Sequence, residues 1–72
     1  MPNAEEKVRE HIRSIDAALY PDFVDEAYST VWGYLLALYD FELISESQRE
    51  DLDREAVAAR ETRKAKLAKK KR

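Results

Sequence analysis

Residues 31–39 read V-W-G-Y-L-L-A-L-Y, apolar at every position but one glycine, in a chain of 72 residues. A chain this short has few ways to cover such a run. One core of this size supplies only about 3–5 kcal/mol, and natural domains of similar length often add disulfides, a metal or a second subunit. Cysteine is absent and His11 is the single histidine, which excludes disulfides and a structural zinc of the usual Cys/His type. Helix packing and association remain.

The composition agrees with helix. The chain is 44% hydrophobic and 39% charged, with one glycine and two prolines, and its abundant Ala, Glu, Lys, Leu and Arg lose little rotamer freedom in a helix. The N-terminal M-P-N-A-E-E-K carries acids where a secretory leader would be basic and then apolar. The nine-residue run is far short of the about 20 residues a membrane span needs. A soluble, cytoplasmic protein without a membrane role is therefore expected.

Three helices are expected, at about residues 4–19, 23–40 and 46–62. In the first, Asn3 is a candidate N-cap with Glu6 three residues on, and Val8, Ile12, Ile15 and Leu19 form one apolar stripe. Pro21 disfavours helix at Tyr20, and Asp22 is read as the cap of the second helix. Ser45 with Gln48 forms a capping box for the third. The short connection D-F-E-L-I-S makes the second and third helices antiparallel neighbours. Along the third helix, Arg49–Asp53 and Glu50–Arg54 are expected ion pairs at four-residue spacing.

Charge is divided along the chain. Residues 60–72 hold eight bases and one acid, whereas residues 1–59 hold five bases and fourteen acids. The domain reading is a helical body over 1–62 and a basic C-terminal tail over 63–72, frayed or disordered because nothing apolar is expected to hold it. Arg63, Lys64, Lys66, Lys69, Lys70, Lys71 and Arg72 are the candidate contacts to a nucleic-acid backbone or an acidic surface, this protein's own body included, with a plain solvated, solubilising terminus as the competing reading. No aromatic residue lies in the tail to stack on bases.

On a helical wheel, Glu26, Ser29, Thr30, Gly33, Ala37 and Asp40 share one strip about 100° wide. The rest of the circumference is almost wholly apolar: Val31, Trp32, Tyr34, Leu35, Leu36, Leu38 and Tyr39. The first helix offers a narrow stripe and the third mostly alanine, so cover within the chain falls short of demand. Exposed apolar patches of that kind mark interfaces, and Trp and Tyr dominate interface energetics. Tyr28, Trp32, Leu36, Tyr39 and Phe41 are the candidate protein interface. Gly33 and Ala37 would admit close packing of another helix. Burial within a compact three-helix bundle is the competing reading of the same arc.

Chemistry is not expected. The acids form no paired constellation and no glycine-rich loop is present. Glu6, Glu10 and His11 cluster on the first helix, with His11 read as a solvated surface residue. No catalytic residue, metal, cofactor or small-molecule substrate is implied.

Residues 35–52, L-L-A-L-Y-D-F-E-L-I-S-E-S-Q-R-E-D-L, resemble the helical hairpin of SHOCT-type short oligomerisation domains. Leu35 and Leu38 match its first helix, and Leu43, Ile44, Ser45 and Glu46 match the start of its second. Phe41 or Glu42 stands where that pattern has its turn glycine, and Gln48 or Arg49 where it has an aromatic. The resemblance implies oligomerisation. In size and style the chain is also similar to small accessory proteins of phages and plasmids, anti-CRISPR inhibitors among them, which act by binding one host protein. The expectation is thus an all-α three-helix bundle, self-associating, that binds and blocks or bridges a macromolecular partner without enzymatic activity; nucleic-acid binding through the tail is the alternative.

Overall fold

The computed structural model describes residues 4–70, and over them the chain is an all-α three-helix bundle: α1 (Ala4–Ala17), α2 (Pro21–Asp40) and α3 (Glu46–Lys70). Each helix packs against the other two. Across α2 and α3 the paired residues run in opposite directions: Asp25 with Lys64, Tyr28 with Arg60, Tyr39 with Arg49. Across α1 and α3 they rise together: Glu5 with Gln48, Arg9 with Glu55, Ala18 with Arg63. The topology is up, down, up.

The core runs along the axis between the helices. It takes Val8, Ile12 and Ile15 from α1, Val24, Val31, Leu35 and Leu38 from α2, and Leu52, Ala56 and Leu67 from α3, with Ile44 from the turn. Each helix contributes a stripe at helical spacing, which is what two neighbours can cover. No charged or polar residue is buried in it among the described residues.

The helix boundaries depart from expectation where Pro21 acts. α1 stops at Ala17, closed by Ala18 N–H donating to the Ile15 carbonyl at 3.2 Å. Leu19 is left 68% exposed and leaves the stripe. Tyr20, with φ −135° and ψ 150°, is extended, as a residue before proline must be. It is therefore Tyr20, not Asp22, that occupies the cap position, and α2 begins at Pro21, whose fixed φ suits the first helical position. Asp22 falls in the first turn, at the positive end of the helix dipole. The Asn3 cap lies outside the described residues.

The α2–α3 turn is built from paired backbone bonds. Glu42 N–H donates to Tyr39 O at 3.0 Å and Leu43 N–H to Leu38 O at 2.9 Å, the two bonds of a Schellman C-cap. Glu42 has φ 59°, the left-handed conformation that glycine adopts without a Cβ clash. It stands where the SHOCT-type pattern has its glycine. The Ser45 capping box forms as expected: Gln48 N–H donates to Ser45 Oγ at 3.1 Å, and Ser45 N–H donates to Gln48 Oε1 at 2.8 Å.

The largest correction concerns residues 63–70. Expected to fray, they continue α3 as helix through Lys70. Leu67 is buried in the core, and Arg63 and Lys64 bind the α1–α2 corner. These two polar contacts and one leucine tie the segment to the other helices. The side chain of Lys70, with Lys71 and Arg72, lies outside the described residues. The expected Arg49–Asp53 and Glu50–Arg54 pairs do not form: Arg49 lies over the Tyr39 ring, Asp53 accepts from Tyr28, and Arg54 pairs with Asp51 at 3.3 Å.

Candidate functional site: the outer face of α2

The apolar arc of α2 divides. Val31, Leu35 and Leu38 are buried, Tyr34 and Leu36 are half-buried, and Trp32 and Tyr39 remain 49% and 39% exposed. Cover within the chain therefore reaches five of these seven residues at least in part, and the two left over lie on the flank facing α3.

The five candidate interface residues are not brought together as one patch. Tyr28 is structural: its hydroxyl donates to Asp53 Oδ1 at 3.0 Å, and the Arg60 guanidinium lies 4.5 Å from its ring centroid. Burial first, and then the hydrogen bond to Asp53, push its phenol pKa above the usual tyrosine value. Phe41, 77% exposed at the end of α2, lies nine residues from Trp32 and so on the opposite side of the helix at about 100° per residue. Trp32 and Leu36 are neighbours one turn apart. Tyr39 continues their flank toward the turn, with Arg49 5.3 Å from its ring centroid.

Beside Trp32 and Leu36 lies the strip that the wheel isolates. Ser29, Thr30, Gly33 and Ala37 are all exposed, and a Cβ placed on Gly33 would meet nothing within 4 Å. Close packing at Gly33 and Ala37 does not occur inside this chain. Residues 27–39 contain no charged side chain at all, although 39% of the protein is charged. The exposed positions of this stretch are thus uncharged, whereas the exposed positions of α1 and α3 carry both acids and bases.

Sequence reasoning missed the α1–α2 corner. Tyr20, Pro21, Asp22, Phe23 and Glu26 line a depression of about 600 Å³. Tyr20 and Phe23 meet edge to face with centroids 5.6 Å apart, and both are more than half exposed. The signal was present as Y-P-D-F, two aromatics flanking a proline at a helix start. A smaller depression of about 170 Å³ lies at the other end of the bundle among Ala4, Glu5, Leu43, Ile44 and Gln48.

The basic segment is partly committed inside the molecule. Arg63 Nε donates to the Ala18 carbonyl at 2.7 Å, just past the end of α1, where a cation also meets the negative pole of that helix. Lys64 Nζ is 2.8 Å from Asp25 Oδ1. Lys66 and Lys69 are exposed. On the other seam, Arg9 donates through Nε and Nη2 to both oxygens of Glu55, at 3.3 and 3.1 Å. His11 is half-buried against Tyr34 at 5.0 Å rather than solvated. Among the described residues no group of three His, Asp or Glu side chains could hold a metal ion, and no helix is long and apolar enough to cross a membrane.

Fold and surface together define a small three-helix bundle whose second helix carries an uncharged stretch over residues 27–39. No family model, curated protein or solved structure matches the chain.

Proposed function

We propose that this protein is a non-enzymatic interaction module, which binds a macromolecular partner through the outer face of α2 and acts by blocking or bridging it. The observation that carries the reading is Trp32. The single tryptophan of the chain stands half exposed beside Leu36, in the middle of thirteen residues without a charge. Interface cores are depleted in charge and enriched in aromatics, and a half-exposed Trp is the residue type that most often anchors them. An inhibitor of a host defence system, of the kind small phage and plasmid proteins supply, is one form such a module takes.

Photo-crosslinking in the native host tests this. A benzophenone amino acid at position 32 or 36 is expected to give a discrete crosslinked product, and one at Arg54, on the outside of α3, none. The Trp32→Ala, Leu36→Ala pair is expected to abolish crosslinking from position 29 while the helical circular dichroism persists. Equal products from positions 32 and 54, or none from any α2 position, would overturn the reading.

Nucleic-acid binding through the basic segment is the second reading. It rests on Lys66 and Lys69, exposed in the last turns of α3. Retention of a labelled duplex at low salt, lost in Lys66→Ala, Lys69→Ala and declining steeply with salt, would favour it; no retention at low salt removes it.

A further inference from the structure

The interaction reading leaves the partner undefined, and the charges at the two ends of the uncharged face narrow it. At about 100° per residue, Asp22, Glu26, Gly33 and Asp40 lie along nearly one line on the outside of α2. Among the described residues none of these three carboxylates has an ion-pair partner. Asp25, turned toward α3, is neutralised by Lys64. The face is therefore a neutral stretch with a bare acid group at each end, Glu26 and Asp40 standing about 21 Å apart along the axis.

This arrangement disfavours a second copy as the occupant. Gly33 is equidistant in sequence from Glu26 and Asp40. Two copies crossing antiparallel at Gly33 would set Glu26 of each against Asp40 of the other. A parallel crossing would set like against like at both ends. Either register brings carboxylates together, which costs free energy at an interface.

The acids at the N-terminal end of the face also border an open depression. Asp22 and Glu26 belong to the same depression as Tyr20 and Phe23. Phe23, like Phe41, lies nine residues from Trp32 and so on the opposite side of α2, and this corner flanks the N-terminal acids without belonging to the Trp32 face.

We propose, resting on the interaction reading above, that the outer face of α2 receives an amphipathic helix of a partner protein. The apolar face of that helix lies over Gly33, Trp32 and Leu36 and is bracketed by basic side chains that pair with Glu26 at one end and Asp40 at the other. Gly33 lets the two backbones approach, and the acids at each end set the register by pairing with cations about four turns apart.

The probe is a pair of labelled helical peptides of about 20 residues with the same Leu/Ala face. One carries Arg at both ends, about 14 positions apart, and the other Glu at the same positions. Fluorescence anisotropy with the full chain is expected to show binding of the Arg-bracketed peptide and roughly ten-fold weaker binding of the Glu-bracketed one, as expected from two partly exposed charge pairs. The preference should shrink with added salt and reverse in Glu26→Lys, Asp40→Lys. Gly33→Leu should weaken the Arg-bracketed peptide at least as much, with circular dichroism confirming that both variants stay folded. Equal affinity for the two peptides, binding of neither, or dimerisation of the chain through α2 by light scattering would overturn the inference. The crosslinking result from position 32 would still decide the interaction reading by itself.

Discussion

The Tyr28 hydroxyl donates to Asp53 Oδ1 at 3.0 Å while Arg60 covers the Tyr28 ring, so one aromatic of α2 is held by an acid and a base of α3. Because Tyr28 must donate, the bond exists only while the phenol is protonated. Burial and Asp53 both raise its pKa. Folding therefore favours the protonated form, and the stability Tyr28 contributes is complete below the ordinary tyrosine pKa of about 10. That contribution is lost as pH rises from there through the raised folded value. Chemical denaturation at rising alkaline pH is expected to show a steeper fall for wild type than for Tyr28→Phe. At neutral pH, Tyr28→Phe should cost about 1 kcal/mol.

Arg63 closes the C-terminal end of α1 from another helix, and α1 has no basic residue of its own in its last turn. Arg63→Ala is expected to destabilise the bundle by about 1–2 kcal/mol, the range for a charge-assisted hydrogen bond. Amide exchange should quicken first in the last turn of α1. An unchanged midpoint of urea unfolding would show the contact to be idle.

Glu42 pays a conformational cost at φ 59° that glycine would not. Glu42→Gly is expected to raise stability by about 1 kcal/mol, less the extra freedom glycine has in the unfolded chain. Thermal unfolding should shift upward with no change in helical signal. A downward shift would mean that the Glu42 side chain has a compensating role.

Gly33 lies in the interior of α2 with open space where its Cβ would stand. Gly33→Ala is expected to stabilise the isolated chain by about 1 kcal/mol, the helix-propensity difference. A destabilised Gly33→Ala chain would mean that a backbone already packs there.

The two halves of the apolar arc should respond differently to truncation. Leu35 is 1% exposed, and Leu35→Ala is expected to cost about 3 kcal/mol, most of what a bundle of this size has. Trp32→Ala should cost about 1–2 kcal/mol and leave the chain folded. Denaturant titrations of both variants separate core from surface directly.

Much of the architecture was legible in local chemistry. The apolar stripe of α1, the Ser45–Gln48 capping box and the break before Pro21 are set by steps of four residues or fewer, and all three occur, the stripe without its expected last member Leu19. What local pattern could not decide was the fate of side chains whose partners are distant in sequence. Whether Arg63 is a solvated tail residue or a cap depends on Ala18, forty-five positions away, reaching its guanidinium. Leu67 counts as core only because the bundle presents a place for it. The same holds for α2: periodicity shows that its arc is too wide, but only packing settles that Leu35 and Leu38 go in while Trp32 stays half out. Local propensity and capping act over one helical turn, whereas burial is a property of the assembled surface.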